Sequence, residues 1–478
     1  MVRALEQHAN NKPSASDMMP RVKRIKGRLD LRQLNAVNPR QFPFLLESTA
    51  VSDTQHSSNS RYDILFAFPQ QTLQLGSDLK LYDQAHQVLA DNDFLAELDH
   101  QWHKCRQDYV NDSKLPFSGG WFLFLGYELA QQVEPRLHLP MPEDGFPVAC
   151  AVRIPAAVIY DHVLEETIYV TEGNKPELIA RMEQALSGLC EEKDEALPGS
   201  LSVALDEDDE QRYIESVARV KQYITEGDVF QVNLSRSWKG KRPQDLHASQ
   251  IYQRLSQTNP APFSGIMHFP FGDIISSSPE RLIKVMDRHV ETRPIAGTRP
   301  RSMNASSDNQ FKNELIAHPK ERAEHIMLID LERNDLGRIC QPGSIHVSEM
   351  MVTESYAHVH HIVSNIEGQL RNEVTPGEAI RAVFPGGTIT GCPKERCMAI
   401  IAEQEQEARG AYTGSAGYLN HNGDMDLNIL IRTISMTDKE IRLRTGAGLV
   451  FDSVARYELE ETRHKAKGLL LALGALHE

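Results

Sequence analysis

The apolar positions of this chain change period several times, and the changes mark its elements. Tyr62 to Phe68 and Ala156 to Tyr160 are short apolar runs bounded by polar residues, which predicts strands. Asp83 to Arg106 reads as a helix. From Gln211 to Glu226, apolar residues recur at Tyr213, Val217, Val220 and Ile224, a helical spacing. Pro319 to Leu331 opens with a proline suited to a first helical turn. Ile441 to Arg444 alternates as a strand does, and Gly446-Ala447-Gly448 after it reads as a tight turn. Gly391-Cys392-Pro393-Lys394 opens a further helix. His358-Val359-His360-His361 fits a strand that places His361 with Val359 and Val363, opposite His358 and His360. Strands and helices follow no clean βαβ rhythm and no fixed repeat occurs. The expected class is mixed α/β (α+β) rather than a doubly wound sheet.

Polar stretches complete the plan. The first 25 or so residues are polar and expected to fray. Cys190 to Glu210 is acidic, contains Pro-Gly and reads as a linker. Across the 478 residues, 40% are hydrophobic and 24% charged, as in globular proteins. The net charge of −15 argues against a protein that tracks nucleic-acid phosphates. No run approaches 18 apolar residues, which argues against a membrane span. The first residues hold no apolar core of signal-peptide length. Six cysteines without C-x-x-C spacing suit a reduced, cytoplasmic enzyme. The dinucleotide fingerprint, the P-loop and the G-x-S-x-G elbow are all missing from the sequence.

Four constellations could carry chemistry. Glu324 shares a helix face with Met327, Leu328 and Leu331, and a carboxylate there needs a cation. Glu458, Glu461 and Lys465 follow at i, i+3 and i+7. They suit either a hard cation such as Mg²⁺ or a Glu461–Lys465 salt-bridge ladder. The 391–394 and 446–448 segments are either anion-binding backbones or ordinary turns. His361 is either a proton handler or a satisfied core histidine. Arg293, Arg299 and Arg301, set among prolines and Gly297, form either a rigid carboxylate-binding loop or an exposed basic turn. Together these suit a Mg²⁺-assisted enzyme acting on a small polyanion.

In their order along the chain, the motifs resemble those of the chorismate-utilising enzymes. The matching stretches are Ser278-Pro279-Glu280, ETRPIAGTRPR (291–301), RAEHIMLIDLERNDLGR (322–338), HHIVS (360–364), FPGGTITGCPK (384–394), Ile431-Arg432-Thr433, GAG (446–448) and ELEETRHKA (458–466). The resemblance is strong over 208–472, the expected chorismate-binding catalytic domain, and looser over the N-terminal region, 25–190. It implies layered antiparallel β-sheets flanked by helices, with both halves of the chain contributing. It also implies Glu324 and Glu461 as Mg²⁺ ligands, with Glu458 adjoining. Gly446, Ala447 and Gly448 would bind a carboxylate through their backbone. Tyr412 and Arg432 would clamp the enolpyruvyl carboxylate, with Lys465 in the same substrate site. Glu280 and His361 would handle protons at the departing C4 hydroxyl, with Thr388 bonding nearby. Leu46, Glu47 and Ser48 resemble a tryptophan-binding element.

Water-using members of the family carry a lysine base where this chain has Gln231, in Gln231-Val232-Asn233-Leu234-Ser235-Arg236. An amide cannot deprotonate water, so the resemblance implies ammonia as nucleophile. The Ser60–Ile64 segment, GGWFLFLGYELA (119–130), GCPKERC (391–397) and the compact length resemble the 4-aminating, folate-branch members. Ala296 stands where those members carry a lysine, as in the anthranilate-forming members. No glutaminase cysteine segment (Gly-x-Cys-x-Gly) is present, which implies a separate glutamine amidotransferase subunit as partner.

Overall fold

The computed structural model describes residues 19–49, 61–106, 115–187, 201–301, 304–355 and 359–476. His358 and most of the expected linker lie outside the described residues. Every strand pairing among them is antiparallel, in one sheet of twelve strands and one of eleven, accompanied by eleven α-helices. The class is mixed α/β.

Period-two alternation builds the layers. On the strand Tyr62–Ala67, Ile64 and Phe66 point into the space between the sheets, while Leu65 and Ala67 face helices. The space between the sheets is rich in phenylalanine. Phe44 and Phe66 come from the larger sheet and Phe122 and Phe124 from the smaller, and the Phe44 and Phe122 rings stack with centroids 4.1 Å apart. Helices Leu31–Val37, Pro176–Leu186, Ala248–Thr258 and Ala455–Ala472 cover the outer face of the larger sheet. Helices Phe94–Cys105, Pro319–Gly337 and Pro376–Val383 cover that of the smaller sheet. The result is an α/β/β/α sandwich.

Both halves of the chain build both sheets. Leu46 pairs with Gly265 in the larger sheet, and Phe122 with Tyr418 in the smaller. The chain passes directly from one sheet to the other at several places, at Pro155 among them, and two of these passages matter for the site. Strand Gly272–Ser278 leads through Pro279-Glu280 into Arg281–Met286, and Met425–Ile429 leads through Leu430-Ile431-Arg432 into Thr433–Met436. The two crossings are bonded together, with Ile429 N–H donating to Glu280 O (3.0 Å) and Ser277 N–H to Arg432 O (3.1 Å).

Several expectations need correction. The helix expected from Asp83 begins only at Phe94. Asp83 Oδ1 accepts the N–H groups of Ala85 and Gln87, a local turn that competes with helix, and Asp93 caps the true start through Ala96 N–H. Within the N-terminal stretch expected to fray, Arg21–Lys26 is an edge strand paired with Glu166–Thr171. Its cations reach Glu166 and Glu183, and charged side chains of this kind guard an open edge. Gly446-Ala447-Gly448 is not a turn but lies inside the strand Glu440–Leu449. The expected helix at 211–226 is present as Glu210–Glu226, capped by Asp209 and by a left-handed Gly227 (φ 84°).

Candidate active site

The crossings between the sheets deliver the candidate residues. Glu280 occupies the first and is buried. Arg432 ends the second with φ 50°, a left-handed conformation that a non-glycine residue adopts at a cost and that recurs at functional sites. His361 lies on the strand Val359–Gln369, which pairs with Ile295–Pro300, and Thr388 lies in a short 3₁₀ turn, Gly387–Ile389.

Electrostatics shows which of them meet. Burial pushes the Glu280 carboxyl up to about 7. Thr388, the Ile295 N–H (3.4 Å to Oε1), Arg432 and Lys465 pull it down only in part. Thr388 Oγ1 is buried and completes no hydrogen bond of good geometry. Burial lowers the His361 imidazole to about 3, helped by Arg432 and opposed by a hydrogen bond to the Gly297 backbone. At neutral pH this site therefore holds a neutral imidazole, a carboxyl able to carry a proton and a half-buried guanidinium. That combination suits departure of a hydroxyl beside an anionic ligand.

The glycine strand forms a wall. A Cβ at Gly446 would come within 2.6 Å of Asn233 Oδ1 and 2.7 Å of Tyr412 Oη, and one at Gly448 within 2.5 Å of Gln231 Nε2. At Gly446 the backbone oxygen of Leu234 would also lie 2.8 Å from that Cβ, so close approach and not turn geometry favours glycine there. The strand Thr433–Met436 pairs with Glu440–Leu449 only as far as Leu443. Beyond it that edge of Arg444–Leu449 has no strand partner among the described residues, so its backbone is available to an anion. Lys465 donates to Gly446 O (2.9 Å) and pairs with Glu461 (2.8 Å), so the i,i+4 ion pair is present.

Glu458 and Glu461 stand one turn apart on the last helix and both raise the Tyr213 hydroxyl, so they act on a common space. Glu324 is half-buried on Pro319–Gly337. Among the described residues no group of three or more metal-ligating side chains converges. An ion held here would complete its shell with water and ligand oxygens, as Mg²⁺ does.

The arginines of 293–301 do not form a free cationic loop. They lie on or beside paired strands, with Arg293 bonded to Glu354 (2.7 Å) and Glu349 (2.6 Å), Arg299 to Glu321 (3.3 Å) and Arg301 to Asp308 (3.1 Å). Glu47, buried, accepts from Arg32 Nε (2.8 Å) and Tyr252 Oη (2.7 Å). Ser48 N–H donates to Asp63 (3.2 Å), while Ser48 Oγ is buried without a partner. Leu46 and Glu47 lie on a strand two removed from the one that ends at Ser278, apart from the Glu280 group.

Sequence reasoning missed a buried group behind Tyr412. Glu405 bonds Arg409, Arg444 and Ser235, and Arg409 reaches Asn233 O (2.7 Å) and Ile389 O (3.1 Å). The i,i+4 spacing of Glu405 and Arg409 was its one visible sign. Glu332 was missed as well; burial, with Asp335 adding to it, raises it to about 8, and Glu280 is among the charges that act on it.

Comparison with known proteins identifies the family. Residues 45–471 match the family model described as chorismate binding enzyme. An anthranilate synthase component I-like protein of Synechocystis sp. is 42% identical over 363 residues, 76% of this chain and 74% of that one. Aminodeoxychorismate synthase component 1 of Bacillus subtilis is 40% identical over 385 residues, 78% of this chain and 81% of that protein. The crystal structure of anthranilate synthase component I from Streptococcus pneumoniae superimposes with a TM-score of 0.76 at 32% identity, covering 87% of this chain and 95% of that one. This chain belongs to the family of chorismate-binding enzymes.

Proposed function

We propose that the chain is component I of an aminodeoxychorismate synthase. It converts chorismate and ammonia to 4-amino-4-deoxychorismate and water, with the ammonia released from glutamine by a separate amidotransferase subunit. The observation that carries amination is Gln231. It stands at the base position of the water-using members, and its Oε1 is buried without a hydrogen-bond partner beside the Gly448 wall. An amide oxygen accepts hydrogen bonds from ammonia but cannot take a proton from water.

In this reading Arg432 and Tyr412 clamp the enolpyruvyl carboxylate, and the Gly446–Gly448 backbone and Lys465 hold the remaining anionic oxygens. Glu280 gives its proton to the C4 hydroxyl, which leaves as water. His361, neutral and buried, orients that hydroxyl with Thr388. Mg²⁺, held by Glu324 and Glu461 with Glu458 adjoining, would neutralise the ring carboxylate of the substrate. No helix among the described residues is long and apolar enough to cross a membrane, which suits action on a soluble metabolite.

One residue favours a second reading, anthranilate synthase component I. Ala296, buried and paired with Ile362 next to His361, offers no nucleophilic amine. Ammonia adding directly at C2 would lead to anthranilate and pyruvate. The test is product analysis with chorismate, Mg²⁺ and ammonium salt. The first reading expects a product that yields 4-aminobenzoate only after a lyase is added, and fluorescent anthranilate as the main product would overturn it.

A further inference from the structure

A buried oxygen that accepts no hydrogen bond is costly, and in a binding site it marks a place where a ligand's donor is rewarded. Two such oxygens lie two residues apart on the strand Gln231–Lys241. One is Gln231 Oε1, which the amination reading gives to ammonia, and the other is Asn233 Oδ1. Period-two alternation sets both side chains on one face of that strand. The same face meets the glycine strand, with Gln231 against Gly448 and Asn233 against Gly446. Tyr412 Oη crowds Gly446 at the same point as Asn233 Oδ1.

The Asn233 amide is oriented by its other end. Nδ2 faces the Thr388 carbonyl at 3.5 Å, and a rotated amide would set Oδ1 against that carbonyl, acceptor to acceptor. The backbone around it is bonded on both sides, with Asn233 N–H donating to Thr390 O (2.9 Å) and Asn233 O accepting from Arg409 Nη2 (2.7 Å). Asn233 Oδ1 is the atom left over. The side chain, half-buried, thus reaches from Gly446 and Tyr412 to Thr388, whose hydroxyl acts on Glu280. A pair of acceptors chooses its ligand by counting donors. Ammonia offers three N–H groups and one lone pair, so two N–H bonds to the amides leave that lone pair free to attack the ring. Water would spend both its O–H groups on the same two oxygens and find no base there, since neither amide takes a proton. Ammonium would satisfy the oxygens but has no lone pair.

We propose that Asn233 is a nucleophile-binding residue: its Oδ1, together with Gln231 Oε1, holds ammonia by two N–H bonds beside the glycine strand and so favours ammonia over water. This rests on the amination reading and holds whichever ring carbon is aminated. It gives Asn233, which belongs to none of the proton-handling, carboxylate-binding or metal groups, a role of its own.

The test is steady-state turnover of the full chain with chorismate, Mg²⁺ and ammonium chloride at one fixed pH, in Asn233→Ala and Asn233→Ser. In Asn233→Ala the KM for ammonia should rise about three- to tenfold, the worth of one hydrogen bond between neutral groups, while the KM for chorismate stays within about twofold of the parent. Asn233→Ser restores an acceptor that stops one bond short, and its KM for ammonia should lie between those of the parent and the alanine variant. A merely structural asparagine would not single out one of the two KM values. An unchanged KM for ammonia in Asn233→Ala, or a rise confined to chorismate, would overturn the proposal. Should the alanine variant fail to fold by circular dichroism, a KM for ammonia in Asn233→Ser equal to the parent's would overturn it. Failure of the parent to aminate chorismate with ammonium salt would instead defeat the amination reading.

Discussion

Two buried glutamates in this protein meet opposite fates. Glu405 accepts bonds from Arg409 (2.6 and 2.9 Å), Arg444 (3.0 Å) and the N–H and hydroxyl of Ser235 (both 2.8 Å). Burial pushes its carboxyl up, but Arg409 and Arg444 outweigh burial and hold it below the usual carboxylate range. Glu280 is as deeply placed, yet burial outweighs the pull of Thr388, one long N–H bond from Ile295, Arg432 and Lys465, and it rises to about 7. Paired burial makes a brace; under-paired burial makes an acid. Arg409 ties the loop before Tyr412 to the strand carrying Asn233, so the brace holds the wall of the site while the acid faces into it.

The contrast breaks in a definite way under substitution. Glu280→Gln should lower kcat by about 10² to 10⁴, the usual worth of a general acid. It should also stabilise the fold at pH 8 but not at pH 5. The folded pKa of Glu280 lies above the unfolded value, so the native state loses stability as pH rises from about 4.5 to about 7. That loss is on the order of 3 kcal/mol, which the amide avoids. Thermal melts at the two pH values check it. Glu405→Gln should do the reverse, costing about 3 to 5 kcal/mol at neutral pH because two buried guanidiniums lose their counter-ion. Denaturant unfolding measures this, and a neutral result would show that the brace is dispensable. Glu461→Gln should act more narrowly, raising the Mg²⁺ concentration needed for half-maximal turnover about tenfold or more with little change in melting temperature. An unchanged Mg²⁺ titration would remove Glu461 from the metal site.

Much of the site was readable through the family resemblance that short contiguous motifs carry. Glu280, His361, Thr388, Arg432 and Lys465 belong to short contiguous motifs, and the structure brings them into one electrostatic group. The helices at 210–226 and 319–337 carried their own caps and prolines. What stayed hidden depends on partners far along the chain. Gly446-Ala447-Gly448 has the composition of a turn, and only the approach of Asn233, Tyr412 and Gln231 makes it a strand wall. Arg293, Arg299 and Arg301 look cationic until Glu354, Glu349, Glu321 and Asp308 are folded against them. Glu405 and Arg444 lie 39 residues apart, beyond any local pattern. That Glu280 and Arg432 occupy the two bonded crossings between sheets is a property of topology alone.

The central claim is that Glu280 works as an acid because its burial is under-paired. The pH dependence of kcat/KM for chorismate with Mg²⁺ and a constant concentration of free ammonia tests it most directly, since that ratio reports groups of the free enzyme. The account predicts a fall in kcat/KM above about pH 7 as Glu280 ionises, and no such limb in the residual activity of Glu280→Gln. A profile that stays flat or rises between pH 7 and 9, or a limb that survives in Glu280→Gln, would contradict it.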